Sequence, residues 1–237
     1  MNVFITGCES GIGQSLTKRI LKDGHSVFAC HFKNIPEKET MLLKRKYQDK
    51  IHFTQLDVTQ RDEVDQAVLN ALDVMNSIDV LINVAGISYF SSPLTTTDIE
   101  WKNTFDVNVN GYFYLTRSLL PVLINSPSAQ IINMSSIWGT KGNKDMYAYS
   151  VSKYAVQGMT DGLREYCKPL GIKVTSLILD KVDTSFRELM EEHINISNEQ
   201  KKRMLAASDV ADTVSYLLKT SRNALASSIV LDAALWR

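Results

Sequence analysis

The chain has 237 residues, 44% hydrophobic and 22% charged, with 26 Lys and Arg against 26 Asp and Glu. This composition excludes a disordered or fibrous chain, and a formal net charge of zero leaves no global field to draw in nucleic acid or an anionic membrane. The 11 glycines and 5 prolines are scattered, and no linker or internal repeat is visible, so one single domain over residues 1–237 is expected.

Short runs rich in Val, Ile and Phe alternate with stretches of helical period, the pattern of βαβ units on a parallel sheet buried on both faces. In chain order the expected elements are strand 2–6, helix 13–22, strand 26–32, helix 36–47, strand 51–56, helix 61–75 and strand 80–83. Helix 98–123, strand 130–134, helix 148–167, strand 173–179, helix 209–218 and strand 229–231 complete the series. Seven strands suit one doubly wound α/β sheet of the Rossmann kind. The stretch 98–123 is too long for one uninterrupted helix, and Gly111 is its expected break.

The basic runs Lys44-Arg45-Lys46 and Lys201-Lys202-Arg203 read as solvated helix faces. No apolar run reaches signal or membrane-spanning length. Cys8, Cys30 and Cys167 are odd in number and lack Cys-x-x-Cys spacing, so neither a disulfide framework nor a zinc site is expected, and the thiols fit a reduced, cytoplasmic protein.

In an open α/β sheet ligands bind beyond the carboxyl ends of the strands. The first such place is Thr6-Gly7-Cys8-Glu9-Ser10-Gly11-Ile12-Gly13, between a strand and a helix. Glycine at 7, 11 and 13 allows a tight turn and close backbone approach, and the unpaired N–H groups of the helix start attract a pyrophosphate. The end of the second strand, which selects between dinucleotides, reads Cys30-His31-Phe32-Lys33-Asn34. It holds no acid for a ribose 2′-hydroxyl, so NADP(H) is favoured over NAD(H), with Lys33 or His31 as the phosphate contact.

Of the nine tyrosines only Tyr149 has a lysine four residues on, Lys153, an interval that puts both on one helix face. A free phenol titrates near pH 10, and an adjacent ammonium favours the phenolate and brings the group toward the range useful for proton transfer. The same interval also occurs by chance on helices that do no chemistry.

The spacing G-x-x-x-G-x-G resembles the short-chain dehydrogenase/reductase family, and the likeness runs over essentially the whole chain. Asn83-Val84-Ala85-Gly86 is similar to that family's Asn-Asn-Ala-Gly, with Val84 in place of the second Asn, and Asp57-Val58 is similar to its adenine-contacting pair. Asn108, Ser136, Tyr149 and Lys153 resemble its catalytic tetrad, with Asn110 and Ser135 as competitors for the first two places. The resemblance implies hydride transfer between a nicotinamide and a carbonyl or secondary alcohol. Tyr149 is the implied general acid and base, Lys153 also binds the nicotinamide ribose, and Asn108 holds a water that links Lys153 to solvent. Against the NADP(H) expectation stand Glu9 and Ser10, since many NADP-preferring relatives carry a base in the glycine turn.

Where the family commonly has Pro-Gly-x-Val-x-Thr, this chain has Leu179-Asp180-Lys181-Val182-Asp183-Thr184, which keeps Val182 and Thr184 for the carboxamide. Substrate contacts are expected from a lid over 184–206 and from 87–90 and 138–146, with Trp138, Met146, Phe186, Leu189 and Met190 as apolar members. A moderately apolar small molecule fits. Absence of a terminal Gly-Gly stretch weakens a 3-oxoacyl reductase, short length weakens a sugar epimerase, and a nucleotide-sensing module without turnover is the alternative from another class. Apolar faces on the helices near 111–123 and 149–167 imply a homodimer or homotetramer.

Overall fold

In β1 (Asn2–Thr6) Val3 and Ile5 pack to one side and Phe4 to the other, all fully buried, so the strand is covered on both faces. The same alternation recurs along the computed structural model, which describes residues 1–187 and 197–234. After β1 come α1 (Gly11–Lys22), β2 (Ser26–His31), α2 (Glu37–Tyr47), β3 (Ile51–Gln55), α3 (Arg61–Met75) and β4 (Val80–Asn83). Then follow α4 (Asp98–Phe105), α5 (Gly111–Leu123), β5 (Gln130–Ser136), α6 (Tyr147–Cys167) and β6 (Lys173–Leu179). The short strands β7 (Val182–Asp183) and β8 (Leu205–Ala206), with a single helical turn at Asn198–Lys201 between them, are followed by α7 (Ala207–Lys219) and β9 (Ser228–Leu231).

Seven strands form one sheet in the order β3-β2-β1-β4-β5-β6-β9, every neighbouring pair parallel. The chain steps outward from β1 to β3, returns to lay β4 against β1, and steps outward the other way. That reversal opens a crevice at the carboxyl ends of β1 and β4. On one face Leu16, Ile20 and Leu21 of α1 join Val210, Val214 and Leu217 of α7; on the other, Val64, Ala67 and Ala71 of α3 join Leu115, Leu119 and Leu123 of α5. Full burial of each large aliphatic side chain contributes roughly 1.5–3 kcal/mol.

The doubly wound, seven-stranded fold is the one expected; most element ends shift by one or two residues, and three features differ in kind or have a traceable cause. The break in 98–123 falls before Gly111, not at it: Asp106–Asn110 winds as one π-helical turn, while Gly111 is helical with φ −57°. Asn108 inside that turn spends its amide on groups outside the helix, which offsets the distorted local ladder. β5 runs on to Ser136, because its pairing with β6 continues to Leu179. The β7–β8 pair has too few residues to leave a periodic signature. Among the described residues no helix is long and apolar enough to cross a membrane, and no group of His, Cys, Asp and Glu could hold a metal ion.

Candidate active site

The crevice at the carboxyl end of the sheet widens into a cleft of about 1340 Å³ that runs from Asp57 and Val58, past the glycine turn, to Tyr149. Gly7 and Gly11 hold φ of +69° and +51°, the left-handed region that side chains with a Cβ rarely adopt. The turn is wedged as well as strained. A Cβ on Gly7 would lie 3.2 Å from the Ala85 backbone, one on Gly11 3.0 Å from Thr184 Cβ, and one on Gly13 1.9 Å from the Gly7 carbonyl oxygen. Thr6 Oγ1 accepts from Val84 N at 3.1 Å and Ala85 N at 3.2 Å, which bolts the end of β1 to the end of β4. Ser10 precedes α1 without a side-chain cap, so the first N–H groups of α1 are left for an anion in the cleft. These features fit a dinucleotide pyrophosphate at the helix start.

Lys153 and Tyr149 come from the first two turns of α6. Lys153 is buried, its Nζ donates to the Met134 carbonyl at 2.9 Å, and it lies 5.6 Å from the centre of the Tyr149 ring and 5.4 Å from that of Tyr112. Burial pushes the Lys153 ammonium down to about 8 from its ordinary 10.5. Desolvation likewise raises the Tyr112 phenol, with the nearby Tyr149 adding to the rise. Tyr149 is buried to 8% exposure and packs with Met146, Phe90, Trp138 and Phe186, the Phe186 ring centre 5.9 Å away. A short helical turn, Ile137–Gly139, carries Ser136 as its cap: Ser136 Oγ accepts from Trp138 N at 3.2 Å. Ser150 Oγ donates to the Trp138 carbonyl at 2.8 Å and ties this turn to α6. Ser135 also lines the cleft, but its Oγ is covered and has no partner among the described residues.

Asn108 is fully buried and acts through neighbours. Its Oδ1 accepts from Ile87 N at 2.8 Å, and its Nδ2 donates to the Ile87 carbonyl at 2.9 Å and to Ser152 Oγ at 3.0 Å. Gly86 lies beside both Asn108 and Lys153: a Cβ built on it would lie 3.3 Å from Asn108 Oδ1 and 4.0 Å from Lys153 Nζ.

Of the residues expected to form the catalytic tetrad or hold the cofactor, all but His31, Asn83 and Asn108 line the cleft; Asn110, the competitor of Asn108, does not line it either. The Asn83 side chain, expected at the nucleotide, is engaged within the sheet. Ending β4 in register with Asn133, it is fully buried, and its Nδ2 donates to Asn133 Oδ1 at 2.8 Å, while Asn133 Nδ2 donates to Thr160 Oγ1 at 2.9 Å. His31 Nδ1 pairs with the Lys33 carbonyl at 3.1 Å, and His31 is not among the residues that line the cleft. Phe32 and Lys33 do line it.

The altered loop after β6 is stitched down without Pro-Gly. Asp180 N donates to the Leu231 carbonyl at 2.9 Å, Asp180 Oδ2 accepts from Ala233 N at 3.3 Å, and the Lys181 carbonyl accepts from Leu205 N at 2.9 Å. The β7–β8 pairing that follows brings Val182 and Thr184 to the cleft. Trp138, Met146 and Phe186 line its substrate end, whereas Leu189 and Met190 lie outside the described residues. Sequence reasoning missed Tyr112 beneath Lys153, for which no spacing gives a signal, and the orientation of Glu9, for which the acid in the glycine turn was the signal.

Comparison with known proteins agrees with this geometry. Residues 1–195 match the model of the short chain dehydrogenase family. An uncharacterized oxidoreductase of Staphylococcus haemolyticus is 32% identical over 216 residues, covering 91% of this chain and 89% of that protein. One from Staphylococcus aureus strain USA300 is 29% identical over 228 residues, covering 96% and 94%. Among solved structures, ElxO with NADP bound superposes with a TM-score of 0.88 at 25% identity, covering 99% of this chain and 98% of that one. A serine dehydrogenase complexed with NADP+ gives 0.87 at 23% identity, covering 98% and 94%, and shows the shared fold. The chain belongs to the short chain dehydrogenase family and is, by that membership, an NAD(P)-dependent oxidoreductase.

Proposed function

We propose that the protein moves a hydride between the nicotinamide of NAD(P)(H) and a carbonyl or secondary alcohol on a small to medium, moderately apolar substrate. The observation that carries this reading is the meeting of Ser136, Tyr149 and buried Lys153 at one end of a cleft that also takes in the glycine turn. When bound, the nicotinamide supplies or accepts the hydride; the chain supplies position and protons. In reduction Ser136 Oγ and the Tyr149 hydroxyl hold the substrate oxygen, and the Tyr149 phenol gives its proton to that oxygen as negative charge develops there. The Lys153 ammonium stabilises the resulting phenolate and holds the nicotinamide ribose. The nearness of Gly86 to both Asn108 Oδ1 and Lys153 Nζ supports a water beside it through which the proton is replaced. Oxidation of an alcohol runs the same steps backward.

Asp57 and Val58 serve the adenine ring: Asp57 Oδ1 is taken by Thr59 N at 2.9 Å and Thr59 Oγ1 at 2.8 Å, leaving Oδ2 for the nucleotide. Ala85 and Gly86, Val182 and Thr184, and Ser10, Ile12 and Gly13 line the path of the rest of the dinucleotide. Exposed Lys33 supports NADP(H), and the Glu9 carboxylate at the same strand end supports NAD(H). Trp138, Met146 and Phe186 support an apolar substrate end. Half-exposed Phe113 on α5 and Tyr154 on α6 support a homodimer or homotetramer, and three buried, unpaired cysteines support a cytoplasmic setting.

The test is a panel of ketones and aldehydes with NADH and NADPH, run on the wild type and Tyr149→Phe. Loss of roughly a thousandfold or more in kcat, with nucleotide affinity retained, is expected of a general acid. Unchanged turnover in Tyr149→Phe would sink the assignment, and absence of any turnover by the wild type would favour the sensing module.

A further inference from the structure

The Glu9 carboxylate leaves the glycine turn and folds onto the end of β2. Its Oε1 accepts from the backbone N–H groups of Phe32 at 3.4 Å and Lys33 at 3.5 Å. Its Oε2 is covered, and no donor among the described residues reaches it. Those two N–H groups are the first beyond β2, the place where an open α/β sheet recognises the adenosine ribose of a dinucleotide. β2 brings no acid of its own there, so the acid is delivered from the loop before α1. The other carboxylate close to this turn, Glu39 on α2, is already engaged, 2.6 Å from Lys18 Nζ and accepting from Gln14 Nε2 at 2.9 Å.

Resting on the dinucleotide reading above, we propose that Glu9 selects NAD(H), taking the ribose 2′-hydroxyl and turning away a 2′-phosphate. A hydroxyl is a donor, and a donor is what this carboxylate lacks. A 2′-phosphate brings about −1.5 to −2 charges and acceptors only. It would meet a fixed carboxylate, and the two backbone N–H groups that could receive it are held by Oε1. Glu9 thus occupies the phosphate's place as an anion of the chain itself. The cations that favoured NADP(H) do not offset this. His31 turns its Nδ1 to the Lys33 carbonyl and lies outside the cleft, and Lys33 is an exposed residue whose charge is screened by water. The assignment therefore reverses the nucleotide preference read from β2 alone.

The experiment is titration of nicotinamide fluorescence with NADH and with NADPH at one fixed ionic strength, on the wild type, Glu9→Gln, Glu9→Ser and Lys33→Ala, with circular dichroism to confirm that each variant is folded. The wild type is expected to bind NADH at least tenfold more tightly than NADPH. Both Glu9 variants should shift that ratio at least tenfold toward NADPH, by losing NADH affinity and gaining NADPH affinity. Lys33→Ala should change the ratio by less than threefold. A wild type that prefers NADPH, or Glu9 variants whose ratio equals that of the wild type, overturns the role of Glu9 while leaving the dinucleotide site intact. Failure of the wild type to bind either nucleotide overturns the dinucleotide reading itself.

Discussion

Burial takes the Lys153 ammonium from its ordinary 10.5 to about 8, a difference of roughly 3 kcal/mol against the charged form. The sign follows from proton counting. Between about 8 and 10.5 the unfolded chain holds a proton on this residue that the folded chain has released, so stability from this group rises with pH across that window and is lost as pH falls through about 8. Activity runs the other way: only the charged form stabilises the Tyr149 phenolate. The rate of carbonyl reduction at saturating nucleotide should therefore fall as pH rises through about 8, and Lys153→Met should be slow with no inflection there. A wild-type profile flat from pH 7 to about 9.5 would refute the assigned role. Proximity at residue scale was partly legible, since the interval from Tyr149 to Lys153 is a property of any helix. Burial of Lys153 against Met134 and Tyr112 was not, because those partners lie on other elements.

Elements in this protein are held at set distances by residues with little room to change. Gly139 closes the short turn after Ser136, and a Cβ there would lie 2.7 Å from the Lys153 carbonyl oxygen, which is backbone and cannot rotate aside. Gly139→Ala should push the turn from α6, at a cost of about 1–3 kcal/mol. Because the turn positions Ser136 and α6 positions Tyr149, kcat should fall at least tenfold while NADH affinity changes less than threefold; steady-state kinetics with a fluorescence titration reads both. Equal loss in the two would mean the strain spreads to the nucleotide end. The π-helical turn is the other element-scale device. It lets Asn108 reach both Ile87 backbone groups and Ser152 at once, and the sequence showed only that a helix of that length needed a break.

At the scale of the whole molecule, segments far apart in sequence meet where α1 packs on α7. Asp23 is at the centre of that contact: Arg19 Nε donates to it at 3.2 Å, Lys219 Nζ lies 3.3 Å away, and the Ser215 hydroxyl donates to it. Desolvation alone would raise the Asp23 carboxyl, but the hydrogen bonds from Ser215, Lys219 and Arg19 outweigh it and hold the group below its ordinary 3.8. A depressed carboxyl contributes stability that is fully present above about pH 4 and lost as pH falls through the folded value. Asp23→Asn should lower Tm by roughly 2–4 °C at pH 7, with the difference from the wild type shrinking below pH 4. A difference that stays constant with pH would show that packing, not charge, joins the two helices.

The sequence by itself determined the seven Val- and Ile-rich strands, the glycine turn, and the pairing of Tyr149 with Lys153, because burial on two faces, left-handed backbone and helical spacing are local consequences of residue type. It also held the residues of the nucleotide selector, Glu9 in the turn and an acid-free strand end. Only the tertiary structure decided how they meet. Sheet order sets which strand ends adjoin, so it turned Asn83 inward to Asn133 and brought Glu9 across to Phe32 and Lys33. A residue's chemistry is written in its type, but its partner is fixed by which element the fold lays beside it.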